Sequence, residues 1–361
     1  MERKNQRRFF LKKLSSLLAF SAVSTLSFEK NIGTKIENLS LTKAHSMDSP
    51  GKRVKKISIE EHCYTEGYMK FVRTQKWYAN LGTGAASVET VLDLGEGRIK
   101  DMDDGGIDMQ VLSLSFPYVE FFEPSDGIAI AKVVNDEISE AVKRYPKRFA
   151  GFAVLPTQAS PDTAAEELER AVKKLGMVGA MVTMGPSGRY LSDQKYWVLL
   201  EMAEKLDVPI YIHGKGPNPT LSGQGNSMGG NTMDGEGIAH CTSLINSGVF
   251  DKYPKLKLII GHGGESVPFW LARHSGGKSN NGRKSFMQSF QDNFYVSTSG
   301  QFWHPLLQFL IAVMGPDKVL FAVDYPYESN TEASQFMESA PISDSDKEKV
   351  CHLNAERLFK L

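Results

Sequence analysis

The chain has 361 residues, with 42 lysines and arginines against 42 aspartates and glutamates, so its formal net charge is zero. This balance argues against a nucleic-acid-binding protein, which needs a basic face, and a hydrophobic share of 41% excludes a largely disordered chain. The odd set of cysteines (Cys63, Cys241 and Cys351) does not fit a disulfide framework or a cysteine-based zinc site, and no apolar run reaches the roughly 18 residues of a membrane span. We therefore expect a soluble α/β protein, and an enzyme.

The N-terminus carries a basic head followed by an apolar stretch. Six basic residues lie within the first 13 positions, and LSSLLAFSAVSTLSF follows over residues 14–28. This order is typical of an export signal, and the run R-R-F-F-L-K from Arg7 resembles a twin-arginine signal. The alternative is a basic amphipathic helix on a cytoplasmic protein. We predict an export signal and linker over residues 1–53, a periplasmic mature protein, and one folded domain over 54–361.

Short apolar runs alternate with amphipathic helical patterns from residue 54 onward, and they are rich in Val, Ile and Leu, as buried parallel strands are. The runs are KISIEEH (56–62), DMQVLSLS (108–115), GFAVLP (151–156), GAMVTM (179–184), PIYIHG (209–214), LKLIIGHGG (256–264), FYVSTSG (294–300) and KVLFAVDYPY (318–327). Between them, a helix is predicted over 161–175, with Ser160 as its N-cap and Gly176 at its end. Eight strands separated by helices predict a (β/α)8 TIM barrel rather than an open sheet.

Polar side chains collect at the C-terminal ends of the predicted strands. Strand one ends in Glu60-Glu61-His62, strand five in His213 and strand eight in Asp324. In a barrel these ends meet around one mouth, and side-chain alternation turns Glu60 and His62 inward and Glu61 outward. Each residue alone has a plainer interpretation, as a buried histidine or a helix cap. Together they form a nitrogen and oxygen ligand set that predicts one divalent metal ion.

The segment G-H-G-G-E places His262 and Glu265 where strand six turns into its helix. The carboxylate could orient the imidazole and raise its basicity, or it could simply be a first-turn residue favoured by the helix dipole. Arg273, eight residues later, could reach a substrate carboxylate or lie in solvent. We expect Cys63 to point away from the mouth into the core, and His304 is close enough to strand seven to reach the mouth.

Seven segments in this order resemble the amidohydrolase-related decarboxylase family, over about residues 56–361. They are IEEHC, RIKDMDDGGIDMQVLSLSFP, YPKRFAGFAVLP, ELERAVKKLGMVGAMV, VPIYIH, IIGHGGE-x-x-PFWLAR and FAVDYPYES. That family includes γ-resorcylate, 2,3-dihydroxybenzoate, 5-carboxyvanillate and aminocarboxymuconate semialdehyde decarboxylases. The resemblance implies a TIM barrel that binds Mn²⁺ or Zn²⁺ and removes CO₂ from an ortho-hydroxy aromatic carboxylic acid. It also implies a homodimer or homotetramer.

The resemblance carries specific roles onto residues of this chain. The implied metal ligands are Glu60, His62, His213 and Asp324; the implied catalytic residues are His262, Glu265 and Asp324, with Asp324 as the acid; and the implied substrate contacts are Arg273 and Ser115. The chain departs from the family in two places. The loop before the RIKDMD segment, over residues 74–96, contains no arginine, and a Gly/Asn/Ser-rich insert over 215–237 is either a lid or a plain loop.

These departures keep two other functions open. A hydrolase on the same barrel would open a lactone or an amide with metal-activated water, and the missing arginine slightly favours it. An exported binding protein without turnover is the third possibility, and the retained set of ligands argues against it. Measuring CO₂ release from hydroxybenzoates against acid release from lactones separates the two enzymes.

Overall fold

Eight parallel strands lie side by side in chain order, as the alternating pattern predicts. They are β1 Ile57–Cys63, β2 Met109–Leu114, β3 Phe149–Val154, β4 Gly179–Thr183, β5 Ile210–His213, β6 Leu258–Ile260, β7 Phe294–Ser297 and β8 Val319–Leu320. Each strand overlaps one of the predicted runs, and each pairs in parallel with the next. The predicted (β/α)8 fold class is confirmed.

The computed structural model describes residues 53–78, 86–183, 190–214, 233–275 and 284–361. Apart from Arg53, the predicted export signal and linker lie outside these residues, and so does most of the insert over 215–237. Val54–Leu361 forms one compact unit, while the assignment of residues 1–53 as signal and linker stays a prediction. In the part of the chain that is described, no helix is long and apolar enough to cross a membrane.

Helices follow the strands and cover the outside of the barrel. They are α1 Glu66–Val72, α2 Val88–Leu92, α3 Glu96–Gly105, α4 Pro124–Arg144, α5 Pro161–Leu175, α6 Trp197–Leu206, α7 Met233–Ser247, α8 Val249–Lys252, α9 Val267–His274, α10 Phe286–Asn293, α11 His304–Met314, α12 Asn330–Glu338, α13 Asp344–Glu348 and α14 Asn354–Phe359. The helix predicted over 161–175 is found at those residues. Its Ser160 side chain accepts a hydrogen bond from the amide of Thr163, and Gly176 ends it in the left-handed conformation.

The barrel closes between β1 and the segment that follows β8. The amide of Ile59 donates to the carbonyl of Phe321 over 3.2 Å, and the amide of His62 donates to the carbonyl of Tyr325 over 2.7 Å. These bonds extend past the two residues of β8 that form a regular strand. The predicted strand over 318–327 is therefore too long, because the chain leaves extended geometry at Asp324, which has a φ of 79°.

Apolar side chains fill both sides of the sheet. One layer lies between the strands and the helices, and a second lies inside the barrel, where it includes Ile59, Phe152 and Leu320. The C-terminal helix α14 adds Leu358 and Phe359 to the interior layer, and the Phe359 and Phe152 ring centroids are 5.5 Å apart. The interior is thus a packed core, which leaves the polar groups at the C-terminal strand ends.

Candidate metal centre

Three of the predicted ligands converge where strands β1 and β5 end. One donor atom from each of Glu60, His62 and His213 lies within 4.8 Å of the other two, and all three residues are buried. Glu60 and His62 are two residues apart on β1, so the alternation of the strand turns both toward the same interior. His213 reaches them as the last residue of β5. A buried carboxylate and two imidazoles in one place can hold a divalent cation.

Asp324 and His262 lie at the open side of this cluster. Asp324 Oδ1 is 3.1 Å from His62 Nε2, and His262 Nε2 is 3.3 Å from Glu60 Oε1. Their side chains are 17% and 20% exposed, whereas those of Glu60, His62 and His213 are 0%, 3% and 8% exposed. A molecule that enters the mouth from solvent therefore meets Asp324 and His262 first.

Glu60 is held by hydroxyl groups from strands β5 and β7. The hydroxyl of Tyr211 donates to Glu60 Oε2, and so does that of Ser297 over 3.3 Å. Gly261 passes so close that a Cβ there would lie 2.8 Å from Glu60 Oε2, so a glycine is needed at this position. Burial raises the pKa of Glu60, but the imidazoles of His262 and His213 outweigh burial and lower it to about 2.

The two strand-end histidines have their Nδ1 atoms occupied. His213 Nδ1 lies 2.8 Å from the carbonyl of Gly214 and 3.0 Å from the hydroxyl of Tyr118, and His62 Nδ1 lies 3.4 Å from the hydroxyl of Ser113. A histidine that donates from Nδ1 to a carbonyl presents a lone pair on Nε2. His213 Nε2 is the atom that faces Glu60, at 3.2 Å from its Oε1.

The hydrogen bonds of the cluster leave room for a cation. Glu60 Oε1 and His262 Nε2 are buried, yet neither makes a hydrogen bond of good geometry within the described residues. A buried carboxylate oxygen with imidazole nitrogens around it is costly unless something pairs with it. A divalent metal bound by Glu60, His62 and His213, with Asp324 beside them, pairs with Glu60 Oε1, so the residues present fit the group.

Left-handed backbone is concentrated at this site. Among the described residues, six that are not glycine have positive φ, and four of them (His262, Glu265, Ser266 and Asp324) lie at the mouth. Such conformations cost about 1–3 kcal/mol each and persist where the surroundings hold them. His262 donates from Nδ1 to the carbonyl of Ser299 over 3.2 Å, a contact that helps to fix its ring.

Glu265 is buried behind His262 and is covered by α7. A Cβ on Gly237 would lie 2.3 Å from Glu265 Oε2. The helix can therefore approach Glu265 this closely only with a glycine at position 237. Burial lowers the pKa of His262, but the carboxylates of Glu60, Asp324 and, to a smaller extent, Glu265 raise it above its usual value. The electrostatic contact between His262 and Glu265 agrees with the predicted pair, whose catalytic role stays a prediction.

The remaining predicted positions are distributed between the mouth and the periphery. Ser115 is buried at the end of β2, with its hydroxyl 2.5 Å from that of Tyr327, and the Tyr327 ring centroid is 5.6 Å from that of His62. Arg273 is exposed in the last turn of α9. Its role in substrate binding, like that of Ser115, stays a prediction.

Two side chains outside the ligand set lie away from the mouth. Cys63 is fully buried in the layer between strands and helices, as predicted, and burial raises the pKa of its thiol to about 12. His304 stacks on Phe336 with 5.1 Å between ring centroids, and its Nε2 lies 3.0 Å from the Phe336 carbonyl. His304 therefore does not use the possibility of reaching the mouth, because the first turn of α11 faces α12.

Sequence reasoning misses the hydroxyl groups that hold the ligands. Tyr211 lies two residues before His213 on β5 and hence on the same face, so strand alternation could have identified it. Ser297 is the last residue of β7, so its position at a strand end could have identified it as well. Tyr118 lies outside the strands and reaches His213 through the loop after β2, for which the sequence offers no spacing signal.

Glu120 is a buried acid near the mouth that no predicted role explains. It lies in a short 3₁₀ turn over Val119–Phe121, and its Oε1 accepts a hydrogen bond from the amide of Thr183 over 3.4 Å. Burial raises its pKa to about 7, against smaller opposing effects of hydrogen bonds from its own backbone amide and that of Thr183. The folded protein therefore favours the protonated acid at pH values where the unfolded chain is ionised.

We expect the stability of the folded domain to fall between about pH 4.5 and pH 7 because of Glu120. The folded state holds a proton there that the unfolded state has released, so the free energy of unfolding decreases as pH rises, by up to about 3 kcal/mol. Urea unfolding of the wild type and of Glu120→Gln between pH 4.5 and 8 measures this. The variant should show a flatter profile by that amount, and parallel profiles would contradict the assignment.

Residues 90–361 match the amidohydrolase family. γ-Resorcylate decarboxylase from Polaromonas sp. is 36% identical over 329 residues, which cover 85% of this chain and 98% of that protein. Among solved structures, dihydroxybenzoic acid decarboxylase from Polaromonas sp., with bound manganese and the inhibitor 2-nitroresorcinol, superposes with a TM-score of 0.75 at 34% identity, covering 85% of this chain and 97% of that one. 5-Carboxyvanillate decarboxylase from Sphingomonas paucimobilis gives a TM-score of 0.77 at 28% identity over 85% and 99% of the two chains. The likeness spans nearly the whole of each relative.

Proposed function

The chain belongs to the amidohydrolase family, and from this membership and the metal centre we propose that it is a metal-dependent, non-oxidative decarboxylase of ortho-hydroxy aromatic carboxylic acids. The observation that carries the proposal is the buried donor set of Glu60, His62 and His213, with Asp324 at its open side. Relatives that match nearly end to end include decarboxylases of hydroxylated benzoates. We propose the same class of substrate for this chain.

Decarboxylation replaces the bond between the ring and the carboxylate by a bond to hydrogen. A proton adds to the ring carbon, the electron pair of the broken C–C bond returns to the ring, and CO₂ leaves. A bound divalent cation supplies Lewis-acid and orienting chemistry for the carboxylate and the neighbouring hydroxyl of the substrate. The protein has to provide the cation's ligands and an acid beside the ring carbon.

Asp324 is the group best placed to deliver that proton. Its side chain is partly exposed at the mouth, while Oδ1 is anchored 3.1 Å from His62 Nε2. His262 is the second group in reach of the mouth, and its Nε2 can take up and return a proton because Nδ1 is fixed on the carbonyl of Ser299. Glu265 lies behind His262 and stabilises its charged form. Ser115 and Arg273 are the proposed contacts of the substrate.

We propose Mn²⁺ as the metal, with Zn²⁺ as the alternative. The donor set consists of carboxylate oxygens, which suit Mn²⁺, and imidazole nitrogens, which suit Zn²⁺, so these donors can bind either metal. The dihydroxybenzoic acid decarboxylase and a 5-carboxyvanillate decarboxylase were each solved with manganese. Metal analysis of the purified protein tests the choice, and one zinc per chain after growth with both metals would overturn it.

Removal of the metal is expected to abolish CO₂ release from 2,6-dihydroxybenzoate, and added Mn²⁺ should restore it. The physical reason is that the buried carboxylate and imidazoles bind a cation but offer no other electrophile for the substrate. The measurement is a CO₂ assay on chelator-treated and reconstituted protein, across a panel of hydroxybenzoates. A protein that binds Mn²⁺ but releases acid from lactones and no CO₂ would be a hydrolase, which would refute the proposed reaction.

Two further properties are proposed from the sequence. We propose that the chain is exported through its twin-arginine segment, which replacement of Arg7 and Arg8 by Lys should block in a fractionation experiment.

We also propose a homodimer or homotetramer. Phe269 and Trp303 are 59% and 61% exposed, and such side chains are commonly covered in an assembly. Light scattering that gives the mass of one chain would rule the assembly out.

A further inference from the structure

Glu61 is a fully buried carboxylate that lies next to the metal centre without facing it. The pairing of β1 with β2 shifts register between Ser58 and Glu61. Glu60 faces the barrel interior, and Glu61 lies on the seam between β1 and the segment after β8. Its oxygens accept hydrogen bonds from the Ser58 hydroxyl and, over 3.4 Å, from the side-chain amide of Gln110.

The other two donors to Glu61 are the backbone amides on either side of Asp324. Val323 N donates to Glu61 Oε1 over 3.1 Å, and Tyr325 N donates to Glu61 Oε2 over 3.1 Å. Between them, Asp324 N donates to the carbonyl of Glu60, also over 3.1 Å. Three successive amides thus point toward β1, whereas a regular strand sends alternate amides to opposite sides.

The left-handed conformation of Asp324 explains why this arrangement needs a side chain with two acceptor oxygens. Its φ of 79° is unfavourable for a residue with a side chain, and it brings the flanking amides to the same side. One backbone carbonyl of β1 cannot accept from all three, so the two oxygens of Glu61 take the outer pair. If they were lost, the two buried amides would be left unsatisfied and the chain would relax toward extended geometry.

The hydrogen bonds between Glu61 and the two backbone amides are supported from outside the barrel. Gln110 also donates to the side-chain oxygen of Asn330 over 3.3 Å, and Asn330 donates to Asp101 over 3.2 Å. The buried guanidinium of Arg98 donates to the carbonyl of His62 over 2.6 Å and lies 4.7 Å from the centroid of the Tyr325 ring. Helices α3 and α12 thereby fix both sides of the seam.

We propose that Glu61 is a positioning residue, which fixes the Asp324 carboxylate in the metal centre by binding the two amides that flank it. This inference rests on the proposed metal-dependent function. It adds a residue that touches neither the metal nor the substrate and acts only through Asp324. Its effect must therefore vanish when Asp324 no longer contributes a carboxylate.

The test measures two quantities in full-length variants. The first is the Kd for Mn²⁺ of the metal-free protein, with the free ion detected by electron paramagnetic resonance. The second is kcat for CO₂ release. In Glu61→Gln one oxygen becomes an NH₂ group that cannot accept from an amide, so the Kd for Mn²⁺ should rise about 10- to 100-fold, as when a partner of a metal ligand is lost, and kcat should fall. Ser58→Ala is the matched control. It removes a bond to the same carboxylate but leaves both amides bound, so Kd and kcat should stay within about twofold of wild type.

A double-mutant cycle separates positioning from a general loss of stability. In an Asp324→Asn background, Glu61→Gln should weaken Mn²⁺ binding by less than about threefold, because both changes act on one ligand. Multiplicative effects would overturn the proposal, as would wild-type affinity in folded Glu61→Gln. If Glu61→Gln does not fold, the shorter Glu61→Asp is measured instead, and a failure of both to fold would assign Glu61 a structural role and also overturn the proposal. If the wild type bound Mn²⁺ but released no CO₂, the proposed reaction would fall while this cycle stayed readable.

Discussion

Replacing Asp324 by Asn is expected to lower kcat for CO₂ release by about 10²- to 10⁴-fold, the range that a positioned general acid contributes. The substitution keeps the shape of the side chain, and asparagine tolerates the left-handed backbone found here, at a φ of 79°. The fold should therefore persist. What is lost is a carboxyl group that can carry a proton at the open side of the metal centre, together with one negative charge 3.1 Å from His62 Nε2.

The assay must separate lost chemistry from lost metal. Turnover is measured at Mn²⁺ concentrations that saturate the variant, with occupancy determined independently. Asp317→Asn is a matched control, because Asp317 lies in the short turn before β8, near the opposite end of the barrel, and pairs with Lys349 over 3.1 Å. This control should retain nearly full activity. If fully loaded Asp324→Asn kept more than a tenth of the wild-type kcat, Asp324 would not be the acid.

The convergence of the proposed metal ligands could be predicted from the sequence because it depends on local rules. Period-two alternation brings Glu60 and His62 to one face of β1, and the closure of the barrel brings the end of β5 to them. Neither step requires knowledge of side-chain contacts. The same rules placed Cys63 in the outer layer, where it is found.

The support around these ligands could not be predicted, because it depends on where strands end and how the chain turns. β6 stops at Ile260, so His262 lies in a 3₁₀ turn rather than at a strand end. The left-handed conformation of Asp324 cannot be inferred from the apolar pattern of 318–327. Tyr118 reaches His213 only because the loop after β2 folds over the mouth. Alternation correctly turned Glu61 away from the metal, but its two bonds to the amides beside Asp324 required the structure.

Replacing Glu60 by Gln is expected to weaken Mn²⁺ binding by at least about 100-fold, because the loss of a mere partner of a ligand already costs 10- to 100-fold. Glu60 is the only fully buried carboxylate in the described donor cluster, and the imidazoles around it outweigh burial and hold its pKa at about 2. The anion is therefore present at every working pH. An amide of the same size keeps the packing but removes the charge.

The neighbours of Glu60 make this substitution informative about the metal. Tyr211 and Ser297 both donate to Oε2, and they can donate equally to an amide oxygen, so the folded barrel should survive. The amide nitrogen of the variant then occupies the place of Oε1, toward His213 and His262, and offers no lone pair to a cation.

Calorimetric titration of metal-free protein with Mn²⁺ measures the loss. The control is Glu328→Gln, which removes an exposed charge near the mouth without removing a donor of the cluster, and it should change the Kd by less than about threefold. Equal affinities for wild type and Glu60→Gln would place the metal elsewhere and would remove the basis of the proposed function.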